Sequence, residues 1–154
     1  MTDKKYFFNI IVDTREQKPW VFSDCNTIAK KLDTGDYSIE GLESLLCIER
    51  KNSVSEIANN IIEKRFANEI ERMQDYLYKY VLLEFNLEDV LLYPIGSSVP
   101  KRVWSKIRVK SAYILKFLTD MQIKHDIHVI FCGSASNAEK MAFSIMKRVN
   151  EKHG

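Results

Sequence analysis

The run Leu45-Leu46-Cys47-Ile48 passes directly into Glu49-Arg50-Lys51. A short, continuous apolar stretch reads as a strand buried on both faces. Side chains alternate along a strand, so Glu49 and Lys51 leave the same face and Arg50 the other. Glu49 could in principle be a solvated glutamate on an edge strand. The apolar residues before it argue instead for charge at the end of a buried strand, where a sheet can build a polar site. Two further segments fit this picture. Gly35-Asp36-Tyr37 places an acid a dozen residues upstream, and Val12-Asp13-Thr14-Arg15-Glu16 ends another apolar run in two acids and an arginine.

The remaining pattern alternates strands and helices. Tyr6 to Val12 reads as a buried strand, and Pro19-Trp20 opens an irregular stretch. Ile28 to Leu32 fits either a strand or a short helix. Tyr37 to Ile39 and Leu45 to Glu49 read as a hairpin turning near Glu40-Gly41. Ser53 followed three residues later by Glu56 is a capping-box pattern, and Val54, Ile57, Ala58, Ile61 and Ile62 then recur at helical spacing. Glu63-Lys64-Arg65 interrupts or bends that helix before a second stripe at Phe66, Ile70, Met73 and Leu77. Tyr80 to Phe85 is an apolar strand carrying Glu84. Pro100 suits the start of a helix whose apolar face is Val103, Ile107, Ile114 or Leu115, and Leu118. His128 to Cys132 reads as a buried strand. Ala138, Met141, Ala142, Ile145, Met146 and Val149 mark a terminal amphipathic helix. Strands joined by crossover helices predict an α/β fold, a central mixed sheet flanked by helices.

Asp36, Glu49 and Lys51 form a set with a chemistry. Two carboxylates can hold a hard divalent cation through oxygen, and Lys51 can sit beside the attacking water or the scissile phosphate. That is what metal-dependent phosphodiester hydrolysis needs. Asp36 alone would pass as a turn aspartate. Asp13 is a candidate third ligand, direct or through water, and Glu16 could orient the nucleophile or reach a second ion. Arg15 and Arg50 could clamp phosphate oxygens, or pair with the neighbouring acids and hold them in place.

The combination of VDTRE, GDY and IERK resembles the nuclease domain of the XPF family of structure-specific endonucleases. The likeness covers most of the chain and is densest from Ile10 to Met73. It implies a restriction-endonuclease-like core and a magnesium- or manganese-dependent DNA endonuclease that leaves a 3′-hydroxyl and a 5′-phosphate. It implies action on branched or single/double-strand junction DNA in repair, recombination or replication. Asp36, Glu49 and Lys51 fall on the family's GD and ERK motifs, Asp13, Arg15 and Glu16 on its VD-x-RE motif. Arg65 matches a basic position between two helices. The chain departs from the family twice. The family places an aspartate four residues after the ERK lysine, whereas here the nearest acid is Glu56, one residue later. Many members also carry tandem helix-hairpin-helix modules; residues 1–154 read as a single nuclease domain without them, so any homodimer forms through the nuclease domain. The Ala138–Val149 stripe reads first as core, with a dimer seam as the alternative. A non-catalytic DNA-binding or scaffolding partner, and a Holliday-junction resolvase-like enzyme, are the alternative readings. The presence of all three motif residues favours activity.

Charge sets where DNA could bind. The net charge is only +2, so any nucleic-acid surface must be a local patch. Lys101, Arg102, Lys106, Arg108 and Lys110 form such a strip, with no acid between Pro100 and Asp120 and with Trp104 and Tyr113 among them. Basic residues with interleaved aromatics can follow a phosphate backbone and stack on unpaired bases; a plain solvated helix face is the alternative. Lys64 and Arg65 form a second basic pair. His125, Asp126 and His128 read as polar loop residues rather than a metal site. The three cysteines, Cys25, Cys47 and Cys132, form no CxxC pair, which suits a reducing interior. With no apolar leader or membrane span, the expected location is intracellular: cytoplasmic or nucleoid-associated, or nuclear in a eukaryote.

Overall fold

The computed structural model describes residues 8–154. The elements are β1 (Asn9–Val12), β2 (Asn26–Ala29), β3 (Tyr37–Ile39), β4 (Leu46–Lys51), α1 (Val54–Ile61), α2 (Lys64–Met73), β5 (Tyr78–Leu83), α3 (Leu87–Leu92), α4 (Ser111–His125), β6 (His128–Phe131) and α5 (Ala135–His153). The strands form one mixed sheet of six in the order β2-β1-β3-β4-β5-β6. β3 runs antiparallel to β1 and β4, while β4, β5 and β6 are parallel. The α1–α2 pair makes the crossover from β4 to β5, and α3–α4 the crossover from β5 to β6.

Alternation along β4 distributes its side chains between two cores. Cys47 packs with Ile57, Phe66, Met73, Val81, Ile114 and Leu118 on the face covered by α1, α2 and α4. Leu46 and Ile48 pack with Ile10, Tyr37, Leu82, Ala142 and Met146 on the face covered by α5. Each such apolar side chain stabilises the fold by about 1.5–3 kcal/mol through burial. Both faces of β4 are therefore covered, and the strand lies inside the sheet.

Several expectations hold in detail. Ser53 caps α1 by accepting from the Glu56 amide at 3.1 Å. The Glu56 carboxylate turns back to the Asn52 amide at 2.9 Å, one residue earlier than a capping box requires. α1 ends at Ile61 and α2 begins at Lys64, so the charged run does break the helix. Ile28 belongs to a strand, and Tyr37–Ile39 pairs with β4 as predicted.

Others need correction. Pro100 does not open one long helix. It opens a 3-10 turn, Lys101–Lys106, and extended backbone at Ile107 and Lys110 separates that turn from α4. Of the predicted face only Ile114 and Leu118 are core; Leu115 is exposed. Leu77 lies beyond the end of α2 and is exposed, and β5 starts earlier, at Tyr78. β6 is an edge strand, exposed at His128 and half-buried beyond it. On α5 the buried residues are Ala138, Ala142, Met146 and Val149; Met141 is exposed and Ile145 half-buried on the flank. α3 was not anticipated from periodicity, although Asn86 and Asp89 carry a cap signal: the Asp89 carboxylate accepts from the Asn86 amide at 2.8 Å. The start of the first predicted strand, Tyr6, lies outside the described residues. No helix among the described residues is long and apolar enough to cross a membrane.

Candidate active site

Glu49 and Lys51 leave β4 on the α1–α2 face, at its C-terminal end, and are nearly inaccessible, at 4% and 6% exposure. Asp36 reaches the same point from the loop before β3. Its amide donates to the Ile48 carbonyl at 2.8 Å, and its carboxylate accepts from the Arg50 amide at 2.8 Å. Gly35 makes this approach feasible. Its φ is +88°, and a Cβ there would lie 2.7 Å from Cys47 Sγ, so only glycine lets the loop press against β4. The three side chains line a pocket of about 190 Å³ that also receives Asp13, Asn60, Arg65 and Glu69.

The pocket crowds acids around Glu49, with Arg15, Lys51, Arg65 and Arg72 also in its lining. Lys51 Nζ lies 3.5 Å from a Glu49 oxygen, but the other oxygen, Oε2, is buried without a hydrogen-bond partner. Burial, then the charges of Asp36 and Glu69, push the Glu49 pKa well above the usual carboxylate range. Burial also pushes Asp36 up to about 6; the hydrogen bond from the Arg50 amide opposes this, and the charges of Glu16 and Glu69 add to it. Asn60, another residue of the pocket, also has a buried side-chain oxygen, Oδ1, without a donor. Orphaned hard oxygens and crowded carboxylates fit a divalent cation. No set of three or more His, Cys, Asp or Glu side chains among the described residues forms a ready metal cage. Two carboxylates are nevertheless enough for magnesium, which keeps several waters and completes its shell with phosphate oxygens.

Arg50, on the opposite face of β4, enters a different network. Its guanidinium donates to Glu84 at 2.7 Å, to the Lys18 carbonyl at 2.7 Å and to Glu16 at 3.2 Å. Glu84 also accepts from Trp20 Nε1 at 2.6 Å, and Tyr37 Oη donates to Glu16 at 2.7 Å. Trp20 stacks on Tyr37 with ring centroids 4.5 Å apart, and the guanidinium lies 4.9 Å from the Trp20 ring. This cluster ties the loop after β1 to the ends of β3, β4 and β5.

The ERCC4 domain matches residues 12–145. The chain belongs to this family. Among solved structures, the ERCC4 domain here is similar to XPF from Aeropyrum pernix, with a TM-score of 0.68 and 19% identity over 92% of this chain. It is also similar to XPF from Aeropyrum pernix in complex with DNA, with a TM-score of 0.65 and 19% identity over 95% of this chain. The chain spans 65% and 66% of those two chains. No curated protein sequence matches it significantly. The resemblance of VDTRE, GDY and IERK to the XPF family is thus borne out, as is the restriction-endonuclease-like α/β architecture.

Within this ERCC4 domain the sequence-predicted residues divide. Asp36, Glu49, Lys51 and Asp13 share one pocket, with Arg15 and Arg65 at it. Asp13, at 2% exposure, has its oxygens engaged: Arg15 Nε donates at 2.7 Å and the Leu32 amide at 2.8 Å. Burial opposes ionisation there, but these hydrogen bonds outweigh it and hold the Asp13 pKa below the usual range. Arg15 is therefore tied to an acid, as is Arg50. Glu16 lines a separate polar recess with Arg50 and Glu56. Arg65 is paired with Glu63 at 3.2 Å and remains 85% exposed. Lys101, Arg102, Lys106, Arg108 and Lys110 are all exposed, on the 3-10 turn and the extended link after it rather than along one helix. Trp104 is half-buried and donates to the Val99 carbonyl at 3.0 Å.

Sequence reasoning missed Glu69, Asn60 and Arg72 around the pocket and Trp20 and Glu84 behind it. Glu69 had a signal: it lies four residues after Arg65 and three after Phe66, so α2 must present all three side chains toward one side.

Proposed function

We propose that this ERCC4 domain is a magnesium- or manganese-dependent DNA endonuclease acting on branched or single/double-strand junction DNA in repair, recombination or replication. The observation that carries the reading is Glu49: a carboxylate buried at the end of a central strand, one oxygen unpartnered, beside Asp36 and Lys51. Such an arrangement is costly in a cation-free protein and useful when a divalent ion and a phosphate arrive together.

Asp36 and Glu49 would hold the ion. Bound there, it supplies positive charge to the phosphate and acidifies a coordinated water. Lys51 brings a fixed positive charge to the same face without occupying a coordination position. The Arg50 amide orients Asp36, and the Arg15–Asp13 pair fixes the loop that flanks the pocket. The DNA of the Aeropyrum complex belongs to that protein; here the exposed Lys101–Lys110 strip and Arg65 are the residues offered for phosphate contact. Pairing of two copies along α5 belongs to the same reading, with Met141 and Ile145 as its contacts, as does an intracellular location.

Asp36→Ala and Glu49→Ala should each abolish magnesium-dependent cleavage across a panel of flaps, forks, junctions and duplexes while circular dichroism stays native. Lys51→Ala should lower turnover more than cation affinity. Near wild-type cleavage by either carboxylate variant would overturn the assignment.

A further inference from the structure

Glu69 lies on α2, away from the motif segments, yet it faces the same pocket as Asp36 and Glu49. Its Oε1 accepts from the Gly35 amide at 3.4 Å, so it touches the loop that delivers Asp36. Its negative charge also acts on Glu49, helping to raise the Glu49 pKa. Among the described residues Glu69 makes no ion pair: Arg65 is taken by Glu63, and Arg72 donates to the Thr34 hydroxyl at 3.1 Å. A carboxylate from α2 thus joins those of Asp13, Asp33, Asp36 and Glu49 in a pocket where Lys51 lies beside Glu49.

We propose that Glu69 forms an outer oxygen acceptor that binds the waters of a divalent cation held by Asp36 and Glu49. The inference rests on the metal-dependent reading above and adds α2 to it. An observation besides the gathering of carboxylates points to a ligand here. Glu49, at 4% exposure, has a carboxylate oxygen, Oε2, buried without a donor at the pocket that Glu69 faces. A small, strongly hydrated ion presents water hydrogens outward, and acceptors on the facing helices are what those hydrogens require. Glu69 reaches the pocket from α2, where the Gly35 amide holds it, and it acts on the ion through the waters. Glu69 is therefore a positioning residue.

The test measures cation binding without turnover. Manganese is titrated into DNA-free protein by calorimetry and by the electron paramagnetic resonance of the free ion. The proteins are wild type, Glu69→Gln, Glu69→Asp, Asp36→Asn and Glu49→Gln. Glu69→Gln keeps shape and removes charge, and should weaken manganese binding by roughly tenfold or more. Glu69→Asp should fall between it and wild type. Asp36→Asn and Glu49→Gln should abolish binding. If those two abolish it while Glu69→Gln stays within twofold of wild type, the inference about Glu69 fails and the site reading stands. If Asp36→Asn and Glu49→Gln still bind manganese normally, the site reading fails with it. A thermal melt of each variant in EDTA separates loss of binding from loss of fold.

Discussion

Asp36 accepts a hydrogen bond from the Arg50 amide, yet its pKa stands at about 6 against an ordinary 3.8 because burial dominates. The folded, cation-free protein therefore binds more protons than the unfolded chain between those values. Stability must fall as pH rises through that window, and the loss is complete above about pH 6. At about 1.4 kcal/mol per unit, a shift of this size costs on the order of 3 kcal/mol at neutral pH. Glu49 shifts in the same direction, so the two carboxylates work against the fold together. Asp36→Asn removes the charge and keeps an acceptor for the Arg50 amide. Its melting temperature in EDTA at pH 7.5 should exceed wild type by several degrees, with a shallower decline from pH 4 to 6.5, while cleavage is lost. A variant that melts below wild type under those conditions would show that Asp36 serves the fold rather than the ion. Asp36, Glu49 and Lys51 were legible because their residue types and spacing carry a meaning that single residues lack. Glu69 was hidden by its position: an acid beside an apolar helical stripe looks solvated until the helix is laid over a particular strand end.

β4 separates two tasks by alternation alone. Glu49 and Lys51 face the pocket; Arg50, between them, faces the Trp20–Glu84–Glu16 cluster. Arg50 thereby turns its side chain into an anchor while its amide holds Asp36. Arg50 and Glu84 are mostly buried, at 15% and 5% side-chain exposure, so removing one partner leaves a poorly solvated charge. Glu84→Ala should cost about 3–5 kcal/mol in urea denaturation and also lower cleavage, because the end of β4 loses its tether. Glu84→Asp should recover part of both. A loss below about 1 kcal/mol, the level of an exposed pair, would reduce the cluster to surface decoration. The elements around β4 were readable where the hydrophobic period was long: α1, α2, α5 and the β3–β4 hairpin. The stretch from Leu87 to Lys110 was not. α3 is too short to establish a period, and Pro100 signalled a start without indicating that extended backbone at Ile107 would stop the turn.

The molecule as a whole carries little net charge, so its electrostatics depend on placement. The sheet gathers buried carboxylates at the end of β4, in a pocket that Arg15, Lys51, Arg65 and Arg72 also line. The basic residues of the 101–110 strip lie outside that pocket. None of Lys101, Arg102, Lys106, Arg108 or Lys110 forms an ion pair with another described residue, whereas Lys30, Lys116, Lys124 and Arg148 each have an acidic partner. Unpaired, exposed cations are the ones free to displace counterions from a phosphate backbone. Trp104, half-buried on the same turn, with Lys101 Nζ 6.0 Å from its ring, stiffens the strip rather than joining the core. Lys106→Ala combined with Arg108→Ala, in an Asp36→Asn background that cannot cleave, should weaken binding of a junction DNA. It should also reduce the slope of log affinity against log salt by about two, one for each lost phosphate contact. The same pair replaced at Lys116 and Lys124, whose charges are already committed to Asp120, should leave that slope nearly unchanged. If both pairs shift it equally, or neither does, the 101–110 strip is an ordinary solvated surface and the DNA must be held elsewhere.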